Sequence, residues 1–438
     1  MLFTRDLRLA DNPALVAAAR ARAVVPLFVW DQRILDTAAG NASRLGFLLE
    51  SLHDLDASLR QAGGALVSRA GPWAKTVIET ARAAGAGRIH LAADVSGYAA
   101  ARLESLRRAA DGTGIAVDCH PGITAVEPAA TRGPGGAYQV FTPYYRRWLA
   151  APWRRVLAAP ERITLPEGIT PGRLPRLADL PAAGVLPGGE TAGLARLAAW
   201  SADHLARYEH GHDDLAAGTT SRLSAYLHLG CVSPHAVAAG MRARPGGAAF
   251  VRQIAWRDFF CQLLASRPDA ARRDYRDRGD RWRDDPEGLA AWREGRTGYP
   301  VVDAAMRQLA QEGFMHNRAR MIAASFLTKD LYIDWRAGAA HFMRHLVDAD
   351  VACNQLNWQW VAGTGTDMNR HRVFNPALQG RRFDPAGEYV RRYVPELAGL
   401  PATMIHDPDP AVRRDRGYPE PIVDHREAIA AYPGRPGR

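Results

Sequence analysis

The chain has 438 residues, 47% of them hydrophobic and 23% charged, a balance that excludes a disordered or fibrous protein and favours two cores over one at this length. No apolar run is long enough to cross a bilayer, and the opening "MLFTRDLRLADNP" has the pattern of neither a signal nor a transit peptide. The net charge of +10 is carried by arginine, since Lys75 and Lys329 are the only lysines; the planar guanidinium suits phosphate, although an Ala/Arg/Gly-rich composition raises arginine content without any anionic partner.

In chain order, "MLFT" leaves only a short first strand, through a frayed edge or a start further upstream. "AVVPLFVW" (23–30), "ALVSRA" (65–70), "RIHLAADV" (88–95) and "GIAVDCH" (114–120) read as buried strands. Between the first two lies a helix over 43–63, with Leu45, Leu48, Leu49, Leu52, Leu55 and Leu59 near 3.6-residue spacing. Strand–helix alternation predicts an α/β domain with a parallel, Rossmann-like sheet over residues 1–125. Residues 126–195 are rich in proline and glycine and read as a linker. From 196 to 438 helical patterns dominate, so the second domain is expected to be all-α. Cys119, Cys231, Cys261 and Cys353 lie far apart without a CxxC pair, so no disulfide framework or zinc site is expected and the cytoplasm is the expected compartment.

The helical half carries the unusual patterns. "GTTSRLSAYLHLG" (218–230) sets Thr220, Ser221, Arg222 and Ser224 before an apolar helix, which suits either a phosphate at a helix N-terminus or ordinary capping. "FVRQIAWRDFF" places Trp256 and Arg257 on a helix. In "GFMHNRARM", Phe314, Asn317, Arg318 and Met321 would share one helical face, mixing a ring, an amide, a cation and a thioether. Such a set lines a heterocycle pocket more readily than it packs a core. Asp348 and Asp350 sit in an apolar segment and need cations or donors, for which Arg257 and Arg320 are candidates. No histidine or third acid stands at ligand spacing to them, so no metal is expected. "CNQLNWQWVAGTGTD" (353–367) gathers Asn354, Trp358 and Trp360, and "MNRHRVFNPALQGRRF" (368–383) adds loop arginines with interleaved aromatics.

Taken together, "TGYPVVDAAMRQL", "MHNRARMIAASFLTKDLYIDW" and "NWQWVAGTGTD…RVFNP" closely resemble the photolyase/cryptochrome family, and the resemblance runs from "LFTRDLRLADNPAL" to "YPEPIVDHREA". Within it the chain looks most like class I cyclobutane pyrimidine dimer photolyases. The resemblance implies light-driven repair of DNA by a monomer holding FAD in its helical domain. It puts Tyr208, Thr220, Ser221, Arg222, Leu223 and Ser224 around the phosphates and ribose, and Arg257, Asn317, Arg320, Asp348, Asp350 and Asn354 around the rings. It pairs Arg320 with Asp348 and sets Asn354 at flavin N5. Trp358, Trp335 and Trp282 match the family's chain of tryptophans that re-reduces the flavin. Trp256 and Trp360 would wall the lesion pocket, with Gln253, Arg318, Met321 and Arg372 on the DNA side.

Gln253 stands where class I dimer photolyases often carry glutamate and where (6-4) photolyases carry glutamine, but "MHNRARM" lacks the paired histidines of (6-4) enzymes. The asparagine–glutamate pair of a folate antenna is missing around "VSGYAAARLE" (95–104), which favours 8-hydroxy-5-deazaflavin as antenna. A cryptochrome-type blue-light receptor is the rival reading; plant cryptochromes have aspartate where this chain has Asn354.

Overall fold

The computed structural model describes residues 1–31, 41–175, 186–367, 369 and 371–432. Residues 176–185 of the expected linker, and Met368 and Arg370 of the arginine-rich loop, fall outside them. The chain forms two compact units, one of Met1–Glu209 with Ser221–Asp269 and one of His210–Thr220 with Ala270–Arg438.

The first unit is built on parallel strands β1 (Leu27–Trp30), β2 (Val67–Ala70), β3 (Arg88–Ala92) and β4 (Ala116–His120). β1 pairs with β2, and β3 with β4, both in parallel. Leu2 bridges Leu27 on one side and Leu91 on the other, with Leu2 N–H donating to His90 O and Phe3 N–H to Leu27 O, each at 2.8 Å. The opening residues are therefore the middle of the sheet, in the order β2–β1–(1–3)–β3–β4. Around it lie α1 (Pro13–Ala18), α2 (Ala42–Gln61), α3 (Trp73–Ala83) and α4 (Gly97–Ala110). The predicted helix over 43–63 is α2, capped by Asn41, whose side chain accepts from Arg44 N–H. It buries Leu48, Leu49, Leu52, Leu55 and Leu59 and leaves Leu45 half-buried.

The stretch read as linker carries α5 (Phe141–Ala150), which buries Phe141, Tyr144 and Trp148. The unit continues through α6 (Glu190–Asp203), α7 (Ser224–Leu229), α8 (Pro234–Met241) and α9 (Gly247–Ser266). A buried carboxylate ties these pieces: Asp258 accepts from Ala125 N–H (2.9 Å), Val126 N–H (3.0 Å) and Trp148 Nε1–H (2.9 Å). Burial pushes its pKa up to about 6, against the pull of Arg257 and these donors.

The second unit is helical throughout its described residues, with α10 (Pro286–Glu294), α11 (Pro300–Glu312), α12 (Asn317–Ser325), α13 (Trp335–His345), α14 (Val351–Ala362) and α15 (Pro376–Phe383) around one apolar core. α11 begins at Pro300, as its sequence predicts, and stops where Gly313 takes φ +61. A turn follows, so Phe314 lies outside the next helix rather than on the face predicted for it. The reason is a cap: the His316 side chain accepts from Arg318 N–H and opens α12 at Asn317. Lys329 is buried in a π-turn, donating to Ala362 O (2.7 Å) and to the Tyr432 hydroxyl.

Candidate functional site

In the first unit, α7 is preceded by Arg222 in the left-handed region (φ +51), an uncommon conformation for a residue with a side chain. Leu223 takes the N-cap position of α7 and makes no side-chain cap bond, while the Ser221 hydroxyl accepts from Leu223 N–H at 3.4 Å. Arg196 Nε donates to Ser221 O at 2.7 Å and pins the turn from outside. Ser224 is exposed on the first turn. Tyr208 is buried edge-on to Trp200 and Phe250, both at 5.5 Å. Arg257 donates to Ile123 O and to Leu227 O (3.3 Å), so its guanidinium serves backbone carbonyls within its own unit.

On α9, Gln253 and Trp256 are one turn apart, Gln253 exposed and Trp256 half-buried. The Trp256 indole lies flat on Phe141 of α5, with centroids 3.7 Å apart and planes within 3°. Arg252 sits over Phe141 (5.1 Å) and Tyr145 (5.4 Å). This arginine–aromatic surface was not foreseen, because Phe141 and Tyr145 fall in the stretch read as linker. The run "FTPYYRRW" (141–148), aromatic and basic at helical spacing, was the available signal.

In the second unit, Arg320 is the partner of Asp348, with Nη2–Oδ2 at 2.8 Å, and its Nε donates to Met315 O at 2.8 Å. Asp350 is the N-cap of α14, accepting from Cys353 N–H at 2.9 Å. One turn on, Asn354 donates through its amide nitrogen to Ala339 O at 3.0 Å, which leaves its amide oxygen to act as acceptor. Asn317 is exposed at the start of α12 and approaches Met321 Sδ at 3.9 Å. Arg318 is already engaged: Nη2 meets Asp213 Oδ2 at 2.6 Å, and the guanidinium lies 4.4 Å over Phe383. His316 beside it is buried, and desolvation holds its imidazole down at about 4.

α14 is aimed by a residue that sequence reasoning passed over. Gln359, fully buried between the two tryptophans, donates to Ala270 O (2.6 Å) and Arg273 O (3.0 Å) and accepts from Tyr275 N–H (2.6 Å). With that face locked, Trp358 turns into the core against Phe342 (4.9 Å) and Trp292 (6.0 Å), while Trp360 stays half-buried. Arg372 lies over the Trp360 ring at 4.8 Å and faces Asp367 at 3.7 Å. Of the remaining tryptophans, Trp335 is fully buried and donates to Asp274 at 2.7 Å, whereas Trp282 is half-buried beside Tyr332, 5.0 Å between centroids.

Residues 1–163 match the family described as DNA photolyase, and residues 250–433 match the FAD binding domain of DNA photolyase. The chain belongs to the photolyase/cryptochrome family. A deoxyribodipyrimidine photo-lyase of Streptomyces griseus is 50% identical, over 99% of this chain and 97% of that protein. The crystal structure of a class III photolyase from Agrobacterium tumefaciens superposes with TM-score 0.89 at 36% identity, covering 98% of this chain and 95% of the other. That of a Synechocystis cryptochrome superposes at 0.91 and 29% identity, covering 98% and 97%. No helix among the described residues is long and apolar enough to cross a membrane.

Proposed function

We propose that this protein is a deoxyribodipyrimidine photo-lyase, a cytoplasmic monomer that splits cyclobutane pyrimidine dimers in DNA under light. The observation that carries the reading is α14, which offers Asn354, Trp358 and Trp360 on one short helix, in a chain half identical to a named photo-lyase along its length.

The donor set fits FAD. Reduced FAD, when bound, supplies the electron that light drives into the lesion. Asn354 has an amide oxygen to accept from a ring N–H, and a neutral amide there tolerates an anionic reduced ring better than a carboxylate would. Asp348, oriented by Arg320, and Asp350 are acceptors for ring or ribose donors, with Asn317 and Arg257 as further partners. The start of α7, with Thr220, Ser221, Arg222, Leu223 and Ser224, is read as the place for phosphate oxygens, with Tyr208 as a further member of the set. Trp282, Trp335 and Trp358 are read as the path by which electrons reach oxidised flavin; the end member is the one that reaches the surface.

A dimer inside duplex DNA must leave the stack to be reached, and a damaged pair is the cheapest to extrude; photolyases are a standard instance. Trp256, stiffened by Phe141, and Trp360, with Arg372 above it, are read as stacking surfaces for the flipped lesion. Gln253 can donate and accept toward pyrimidine edges. Met321 and Arg318, the latter held by Asp213, are read as further contacts on the DNA side. For the antenna we read 8-hydroxy-5-deazaflavin rather than folate: a cavity of about 710 Å³ in the first unit is lined by Asp31, Trp73, Lys75, Tyr98 and Arg102. There Arg102 lies 3.9 Å over Trp73, a setting suited to a flat anionic chromophore.

The test is repair of an oligonucleotide with one thymine dimer by photoreduced protein, in blue light against dark. Light-dependent recovery of intact thymines, absent with a (6-4) lesion, is expected. Bound FAD without repair of either lesion would replace this reading by the receptor reading, which the likeness to the Synechocystis cryptochrome keeps in view.

A further inference from the structure

We propose that His90, Asp118 and His120, on the last two strands at one side of the sheet, form a site for a divalent transition-metal ion of the zinc class, apart from the residues assigned to flavin and DNA.

The strand register makes the cluster. β3 and β4 pair His90 with Asp118 and Ala92 with His120, so residues two apart share a face. Ile89, Leu91, Val117 and Cys119 point the other way, into the core under α3 and α4. The opposite face of a parallel sheet is normally apolar and covered, yet here it carries two imidazoles and a carboxylate, all half-buried. His90 Nδ1 and His120 Nε2 are 2.9 Å apart, His90 Nδ1 and Asp118 Oδ2 are 3.8 Å apart, and one ligand atom from each residue lies within 4.8 Å of the others. Ligand atoms around a tetrahedral zinc are separated by roughly 3.3 Å, from bonds of about 2.0–2.1 Å. The 2.9 and 3.8 Å separations bracket that value, and side-chain rotation would bring the three ligand atoms onto one ion.

The surroundings suit a ligand set. Arg88 donates to Asp118 Oδ2 at 2.6 Å, an outer partner of the kind that orients a ligating carboxylate. The cluster opens into a cavity of about 920 Å³ walled also by Ala17, Ala18, Arg20 and Arg88, which gives an ion a way in and leaves a fourth position for water. Two imidazoles and one carboxylate select zinc-class ions over magnesium or calcium. Such an ion would clip β3 to β4.

Full-length, tag-free protein stripped with a chelator is titrated with Zn2+ by calorimetry and with Co2+ by visible absorption. One ion per chain, four-coordinate cobalt bands and a raised Tm are expected. His90→Ala and His120→Ala should each abolish the bands and weaken binding more than tenfold, and Asp118→Asn should weaken it about 10- to 100-fold. Cys119→Ser, on the other face, should bind as wild type. Far-UV circular dichroism in chelator checks that each variant is folded; should an alanine variant fail, zinc protection of His90 and His120 from diethyl pyrocarbonate in the wild type decides. No uptake by the wild type, or unchanged binding in the folded variants, overturns the proposal.

Discussion

The indole of Trp358 lies directly on the backbone of Gly338: a Cβ built at that glycine would meet the ring at 2.2 Å. α13 and α14 can pack this closely only because one of them lacks a side chain at the crossing. Two of the three tryptophans assigned to electron transfer, Trp335 and Trp358, are carried on this helix pair.

Gly338→Ala should therefore overpack the interface and cost about 1–3 kcal/mol, read as a lower urea midpoint. Trp358→Phe tests the assigned role instead. It should leave repair by chemically reduced protein near wild type and slow light-driven reduction of oxidised flavin at least tenfold; equal photoreduction rates would remove Trp358 from the path.

Trp360→Ala should weaken binding to dimer-containing DNA by about 1–3 kcal/mol, the range of one base–aromatic stack. Arg372→Ala should lower affinity for damaged and undamaged DNA alike and reduce the log–log salt slope by about 1. Phe141→Ala removes the plate under Trp256 and should impair lesion binding although residue 141 lies far from every site motif. Fluorescence anisotropy across a salt series separates the three.

Asp348→Asn leaves Arg320 without its anion. The pair is mostly buried, Asp348 at 4% and Arg320 at 25% side-chain exposure, so the loss should approach the about 3–5 kcal/mol seen on breaking buried pairs, reduced by solvent reaching the arginine. The variant should purify with little FAD and a lowered Tm. Full flavin content would take Asp348 out of the cofactor set.

His316 gives a pH prediction. The folded chain holds it down at about 4, against about 6.5 when unfolded. Between these values the unfolded chain binds a proton that the folded chain does not, so stability is complete above pH 6.5 and falls as pH drops toward 4, by on the order of 3 kcal/mol. Asp258 and Asp330, both pushed up to about 6 by burial, act in the opposite sense. The quantity to measure is the wild type against His316→Asn, which keeps a capping acceptor. Relative to wild type, the variant should gain stability as pH falls from 7 to 4 in urea unfolding; a difference that stays constant with pH would contradict the assignment.

How far the sequence alone reaches is clear from particular residues. The strands at 27–30, 67–70, 88–92 and 116–120 are short apolar runs between helices, a local signal. The Arg320–Asp348 pair was foreseen through the resemblance that long motifs carry, whereas Trp360 and Arg372 were expected only as separate residues on the DNA side and lie together in the structure. The Phe141–Trp256 stack was not, because it joins residues 115 positions apart, one of them in a stretch dominated by proline and glycine. Gln359 was overlooked for a related reason: its partners, Ala270, Arg273 and Tyr275, are backbone groups, and backbone leaves no trace in residue identity. Phe314 was placed on α12 by spacing, but the helix opens at Asn317 behind the His316 cap, and histidine is not among the residues whose identity signals an N-cap.

The near-absence of lysine has a practical side. Lys329 is 1% exposed and bonded to Ala362 and Tyr432, whereas Lys75 stands on the surface of α3 with its side chain 71% exposed. Amine-reactive reagents thus find a single open side chain on the folded protein, so a dye or surface linker attaches at one address. That address lies on the wall of the cavity read as the antenna pocket, which makes a fluorophore at Lys75 a reporter of whether that cavity is filled.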